Sequence, residues 1–171
     1  MTTTTTANHH KAHAPRTVRV FILTVSDTRT EEDDEGGRLC RELIAAAGHV
    51  VAGHAIVADE PGQVQAHLGR LADEESADVV ITTGGTGISR RDSTYEAVSG
   101  LLEKRLDGFG ELFRMLSYQD IGAAAMLSRA VAGLYQGLVI FALPGSPGAV
   151  KLALEKLIVP ELGHLQFEAG R

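Results

Sequence analysis

Two carboxylates, Asp59 and Asp92, bracket a glycine-rich stretch, Thr82-Thr83-Gly84-Gly85-Thr86-Gly87, which is followed by Arg90 and Arg91. Three glycines in four positions remove Cβ atoms where the backbone must turn sharply or come close to a ligand. Bare N–H groups in such a loop can cradle a phosphate or another oxyanion. Separated carboxylates beside it suit Mg²⁺, which takes carboxylate and phosphate oxygens and keeps several waters. Asp59 and Asp92 could each hold such an ion directly or through water. Arg90 or Arg91 could offset charge on a transferred group, a kind of catalysis that is mainly positioning and neutralisation. Each feature also has a plain structural reading. The loop could be a tight strand-to-helix turn with a solvated Arg-Asp pair, and Asp59 could cap the helix that starts at Pro61.

Such chemistry needs a scaffold that brings these positions together. Val18–Val25, His49–Ala58, the apolar run Val79-Val80-Ile81 and Leu138–Leu143 read as strands. Helical spacing separates them: Leu39, Leu43, Ile44 and Ala47 with Gly48 at the C-terminal end; Val64, Leu68 and Leu71 after Pro61; Val98, Leu101 and Leu102 after Ser93 or Thr94. Gly108-Phe109-Gly110 reads as a break, followed by helical segments over 111–117 and 121–132. A last helix starts near Pro147 and should be interrupted at Pro160. Alternating strands and helices predict an α/β fold with a mostly parallel sheet. Right-handed crossovers then place every strand exit on one edge, where open sheets bind ligands. Ser26-Asp27, Asp59, the glycine loop with Asp92, and the turn Pro144-Gly145-Ser146-Pro147-Gly148 all stand at such exits. Their convergence weighs more than any one of them.

Composition narrows the alternatives. With 171 residues, 44% apolar and 22% charged, the chain suits one globular domain over 16–171. Residues 1–15, threonine-rich and holding His9, His10 and His13, read as a disordered, solvated tail. A net charge of −6 gives no general attraction to nucleic acid. No apolar run approaches the roughly 20 residues of a membrane helix. The one cysteine, Cys40, excludes an internal disulfide and sits in a helical apolar pattern; a reducing, cytoplasmic location is expected. The acidic run 29–35 reads as a solvated loop. The chain lacks the P-loop pattern, a Gly-x-Gly-x-x-Gly after its first strand, and a Gly-x-Ser-x-Gly elbow.

At these residues the sequence resembles the MoaB/Mog family of molybdenum cofactor biosynthesis proteins. The matching stretches are Leu23–Asp27, Thr82–Gly87 with Arg91-Asp92, Gly108–Gly110, Ser128-Arg129-Ala130 and Leu143–Ser146. The segment Phe113–Gly122 is similar to the B branch. The resemblance covers about residues 17–165. It implies a three-layer α/β sandwich that binds molybdopterin, a pterin dithiolene with a terminal phosphate. It also implies ATP- and Mg²⁺-dependent adenylylation of that phosphate, with Asp59 and Asp92 as the catalytic and magnesium-binding pair. Ser26, Asp27, Thr83, Gly84, Gly85, Thr86, Gly87, Arg91, Ser128, Pro144, Gly145 and Ser146 would line the substrate and nucleotide pocket. Trimers, paired into hexamers in the B branch, are the implied assembly, with other proteins of the pathway as partners.

Two departures from the family pattern stand out. Asp92-Ser93-Thr94-Tyr95-Glu96-Ala97 carries Tyr95 where the family has proline, so a looser helix start is expected. Gly36 stands where the family has serine, which removes a hydroxyl from a helix start or a ligand contact. Some B-branch members lack one or both aspartates; this chain keeps both. The competing readings are a non-catalytic molybdopterin-binding or scaffold protein, and an unrelated α/β domain that binds phosphosugars.

Overall fold

The computed structural model describes Pro15 and residues 17–170. The tail expected over 1–15, with its three histidines, therefore lies outside the described residues except for Pro15. The strands are β1 (Arg19–Val25), β2 (Val50–Val57), β3 (Val79–Thr83), β4 (Lys104–Arg105), β5 (Val131–Tyr135) and β6 (Leu138–Leu143). They form one mixed sheet in the order β2-β1-β3-β6-β5-β4. Neighbours run parallel from β2 to β6, while β5 pairs antiparallel with both β6 and β4.

Alternation along the strands supplies two cores. Val20 and Ile22, Val79 and Ile81, and Val139, Phe141 and Leu143 face one side. There they meet Cys40 and Ile44 of α1 (Glu35–Ala46), Phe109 and Phe113 of α4 (Asp107–Ile121), and Val150 and Ala153 of α5 (Pro147–Ala153). The other face of the sheet presents Leu23, Val25, Val80, Ile140 and Ala142. It packs on Val64, Leu68 and Leu71 of α2 (Pro61–Asp73) and on Ala97 and Val98 of α3 (Thr94–Leu101). The result is three layers, helices on both faces of a mostly parallel sheet, as period-2 strands buried on both sides require.

Three expectations need correction. The segment 121–132 is not a helix. Helix α4 ends at Ile121, a short 3₁₀ segment spans Gly122–Leu127, and Val131 enters strand β5. Its alanines suggested helix, but a Gln136-Gly137 turn with positive φ at both residues (48° and 80°) folds β5 back on β6 as a hairpin. Gly108–Gly110 does not break the pattern; it forms the first turn of α4. Gly110 is there for proximity, because a Cβ would lie 2.7 Å from the Ala130 carbonyl oxygen. Finally, the acidic run is not wholly solvated: Asp34 is 1% exposed and caps α1, its carboxylate accepting from the Gly37 N–H at 3.0 Å.

The C-terminal segment follows its prolines. Pro147 opens α5, capped by Ser146. One π turn (Leu154–Ile158) and one 3₁₀ turn (Val159–Glu161) interrupt the helix around Pro160 before α6 (Leu162–Ala169) resumes.

Candidate functional site

The exits of β1, β2, β3 and β6 are tied to one another by backbone bonds. The Ser26 N–H donates to the Val57 carbonyl at 2.9 Å, and the Gly84 N–H donates to the Leu143 carbonyl at 3.0 Å. The Asp59 N–H donates to Asp27 Oδ1 at 3.0 Å. The turns after β3 and β6 also touch: a Cβ on Gly145 would lie 3.1 Å from the Gly84 Cα. Gly84 itself has φ 97° and no room for a side chain against the Val25 carbonyl. Glycine here serves both the left-handed turn and the close approach.

Gly85 has φ 62°, and a side chain on it would run into Thr94 Oγ1 and Asp59 Oδ2. A Cβ on Gly87 would meet Asp92 Oδ2 at 2.6 Å. Both carboxylates thus lie directly against the glycine loop, although they come from different strand exits. Asp59 is 6% exposed. Its Oδ1 accepts from the Ser93 hydroxyl at 2.7 Å, the Ser93 N–H at 3.2 Å and the Thr94 hydroxyl at 3.4 Å. Asp59 therefore does not cap α2, where Glu60 holds the N-cap position; it fixes the start of α3. Asp92 accepts from the Ser89 N–H at 2.9 Å through Oδ2. Each aspartate keeps one carboxylate oxygen without a hydrogen bond to described residues. Between them, the N–H groups of Gly85, Thr86, Gly87 and Ile88 donate to no described group of the chain.

The two adjacent arginines behave differently. Arg91 donates to both oxygens of Asp27, at 2.6 and 3.0 Å, and to Glu60 at 2.6 Å. Those bonds, followed by the Asp59 N–H, hold the Asp27 carboxyl below the usual carboxylate range; the same two acids raise Arg91 further above its ordinary value. Arg91 is thus a strap across the β1, β2 and β3 exits. Arg90 is exposed and makes no ion pair with described residues.

Other expected residues hold the frame. Ser26 Oγ accepts from the N–H groups of Thr28 and Arg29. Thr83 Oγ1 lies 3.5 Å from Thr24 Oγ1 beneath the loop. Gly145 offers its carbonyl to Arg29 at 3.2 Å. Pro144 is half-buried in the same turn. Ser128 ends the 3₁₀ segment, its N–H donating to the Ala125 carbonyl; its side chain makes no bond to the loop. At the Gly36 departure a Cβ would lie 3.0 Å from the Gly145 carbonyl oxygen, and Asp34 already supplies the cap.

Sequence reasoning missed two groups. Arg129, beside Ser128, donates through Nε to the Thr86 carbonyl at 2.9 Å and through Nη2 to the Gly87 carbonyl at 2.6 Å. It also pairs with Glu96 and stacks on Tyr95, 4.7 Å from the ring centroid. The matched Ser128-Arg129-Ala130 stretch was the only signal. The second group is buried below the β1 exit. Asp34 Oδ2 lies 2.6 Å from the Thr24 hydroxyl and 3.0 Å from His54 Nε2, and Arg29 reaches Oδ1 at 3.5 Å. Burial, the largest influence on Asp34, favours its neutral form. The Thr24, Gly37 and His54 contacts together outweigh it and leave the carboxyl below its ordinary value.

The sequence of residues 21–164 matches the family model described as "Probable molybdopterin binding domain". Molybdenum cofactor biosynthesis protein B of Bacillus cereus is 55% identical over 163 residues, covering 95% of this chain and 96% of that protein. The Bacillus subtilis protein of the same name is 51% identical over 160 residues, 93% of this chain and 94% of its own. Among solved structures, one molybdenum cofactor biosynthesis protein B superposes with a TM-score of 0.89 at 55% identity, covering 92% of this chain and 99% of that one. The tungsten cofactor synthesizing protein MoaB from Pyrococcus furiosus gives 0.83 at 42%, with 92% and 100% covered. The chain belongs to the molybdopterin-binding-domain family, in its MoaB branch, and its place is in molybdenum cofactor biosynthesis.

Proposed function

We propose that the chain adenylylates molybdopterin at this edge, using ATP and Mg²⁺. The observation that carries the reading is the run of four uncommitted amides, Gly85 to Ile88, between two carboxylates that each keep a free oxygen. In the reaction an oxygen of the molybdopterin phosphate attacks the α-phosphorus of ATP. The new P–O bond forms as the α–β bond breaks, and pyrophosphate leaves with that electron pair. The loop amides bind phosphate oxygens and lower the cost of the charge gathered there. Arg90, which makes no ion pair with described residues, neutralises part of it.

The donor set suits magnesium. No group of three or more His, Cys, Asp or Glu converges among the described residues, which argues against an all-protein cage. A pair of carboxylates with phosphates and water is the arrangement Mg²⁺ favours. Asp59 and Asp92 would hold the ion, which when bound supplies further neutralisation of the phosphates. Asp59 also holds Ser93 and Thr94, so it positions α3 whether or not metal is bound.

That second duty of Asp59 favours one other reading, a non-catalytic molybdopterin binder or scaffold in which the aspartate is structural. Incubation with molybdopterin, ATP and Mg²⁺ separates the two. Adenylylated molybdopterin and pyrophosphate support the enzyme, and tight molybdopterin binding without ATP turnover supports the binder. Undiminished product from Asp92→Ala would falsify the catalytic assignment.

Self-association belongs to the same proposal. Leu112, Met115, Tyr118, Ile121, Met126 and Leu127 are all exposed on α4 and the segment after it. An apolar cleft of 480 Å³ lined by Phe109, Leu112, Leu157 and Leu165 lies beside them. Such a surface suits burial in a trimer or hexamer, and light scattering that found only monomer would remove it. The cytoplasm is the proposed compartment; among the described residues no helix is long and apolar enough to cross a membrane.

A further inference from the structure

We infer that Arg129 is a positioning residue that aims the glycine-loop amides, with Tyr95 and Glu96 as its holders. What the loop receives rests on the reading above; the geometry that aims it does not. Arg129 draws the Thr86 and Gly87 carbonyls to one side with two charge-assisted bonds, at 2.9 and 2.6 Å. A trans peptide is planar, with its C=O and N–H pointing in opposite directions. The N–H groups paired with those carbonyls across the peptide bonds belong to Gly87 and Ile88. They are therefore turned away from Arg129, and they are two of the four amides free of described partners. Gly87, which lies between these two peptide planes, has no side chain of its own to fix them, and Arg129 holds the carbonyl on each of its sides.

The holder is fixed in turn. The Glu96 carboxylate takes Nη1 and Nη2 of Arg129, the latter at 3.2 Å, and the guanidinium carbon lies over the Tyr95 ring, 4.7 Å from its centroid. Tyr95 and Glu96 occupy the first turn of α3, whose start is pinned to Asp59 through Ser93 and Thr94. A closed circuit results: Asp59 sets α3, α3 sets Arg129, and Arg129 sets the peptide planes of the loop against which Asp59 lies. Lysine cannot replace the planar fork that reaches two carbonyls and a carboxylate at once. Tyr95 gives this chain a stacking surface for that fork.

The test compares wild type with Arg129→Met, Arg129→Lys and Tyr95→Ala. Three quantities are read: amide ¹⁵N order parameters of Gly87 and Ile88, affinity for pyrophosphate as the probe anion, and the melting temperature. Wild-type order parameters should be near 0.85, and those of Arg129→Met should fall below about 0.6 at these two amides while the strands stay rigid. Pyrophosphate should bind at least about 10-fold more weakly to Arg129→Met, with Arg129→Lys and Tyr95→Ala between the extremes. In the adenylylation assay kcat/KM for ATP should fall in parallel with pyrophosphate affinity, since the amides hold phosphate oxygens both in the bound nucleotide and where charge gathers in the reaction. A merely structural arginine would lower the melting temperature without singling out these amides. Should Arg129→Met fail to fold, Arg129→Lys and Tyr95→Ala carry the same comparison. Wild-type order parameters and pyrophosphate affinity in the variants overturn the inference. A wild-type protein that adenylylates nothing, while the variants still lose loop order and pyrophosphate affinity, refutes the functional reading and leaves the role of Arg129 standing.

Discussion

Replacing Asp34 with alanine should destabilise the fold by about 3 kcal/mol, although Asp34 lies in a loop that reads as solvent-exposed. Two losses contribute. The first is the cap of α1, where the Gly37 N–H loses its acceptor; N-cap aspartate to alanine costs about 1 kcal/mol. The second is the buried cluster. The Thr24 hydroxyl and His54 Nε2, at 2.6 and 3.0 Å, lose their shared acceptor and keep only each other at 3.2 Å, so one buried donor is left short of a partner, at a cost of about 1–3 kcal/mol. Both groups are inaccessible: Thr24 is fully buried and the His54 side chain is 7% exposed. With a urea m-value of about 2 kcal/mol/M, the midpoint should fall by about 1.5 M. Asp34→Asn separates charge from shape, because it can still accept from Gly37. The sign of its pH dependence follows from the lowered carboxyl of Asp34. A carboxylate held below its unfolded value stabilises the fold above about pH 4 and loses that contribution as pH falls through the folded value. The difference between wild type and Asp34→Asn should therefore be constant near neutrality and shrink below pH 4. A midpoint shift under about 0.4 M for Asp34→Ala, or a difference that grows on acidification, would refute the account.

Other consequences follow from the same geometry. Asp92→Ala should lower adenylylation about 10²- to 10³-fold with little change in urea midpoint, because its oxygens face the loop and not a core; equal losses of activity and stability would point to a structural role instead. Gly84→Ala should cost about 2 kcal/mol or more, since its φ of 97° is left-handed and the Val25 carbonyl blocks a Cβ; thermal denaturation reads it directly. Cys40, buried and with its thiol pushed up to about 12 by burial, should resist alkylating reagents at pH 8 until the chain is unfolded, and native-state modification in minutes would contradict its placement.

The parts of this molecule that were legible in the sequence share a physical property: they depend on neighbours close along the chain. The runs at β1, β3 and β6 are apolar on both faces, as strands covered on both sides must be, while β2, at the sheet edge, is only half-buried; each ends in polar or glycine residues where the chain must turn. Right-handed crossovers then bring Asp27, Asp59, Asp92 and Gly145 to one edge without any further information. What the sequence did not disclose depends on contacts between distant positions. Helical and strand signals compete over 121–135, and the hairpin with β6 decides the outcome for Val131–Tyr135, because a strand with a ready partner outweighs the helix propensity of alanine. Asp34 is one of five acidic residues in a short run, and nothing local distinguishes it from Glu31 or Asp33. Only Thr24 and His54, ten and twenty positions away, make it the buried member.

The same argument sorts the arginines at the site. Arg91 looks like the phosphate-binding residue because it adjoins Asp92, yet its guanidinium is taken by Asp27, 64 positions earlier, and by Glu60. An arginine held bidentately by one carboxylate and singly by another has little charge left to offer an incoming phosphate. It is better suited to keep three strand exits in register. Arg129 is likewise held by an acid, Glu96, but it delivers two donors to loop carbonyls, so its effect reaches the ligand through peptide planes and not through charge. On the reading proposed above, Arg90, exposed beside the loop, meets the phosphates directly. Salt should tell the two kinds of arginine apart. Arg90→Ala should reduce the dependence of nucleotide affinity on ionic strength, because an exposed cation acts through a screened field. Arg129→Met should weaken affinity by a similar factor at every salt concentration, because what it removes is an orientation. If both variants changed the salt dependence alike, the division of labour between a charge at the loop and a clamp behind it would be wrong.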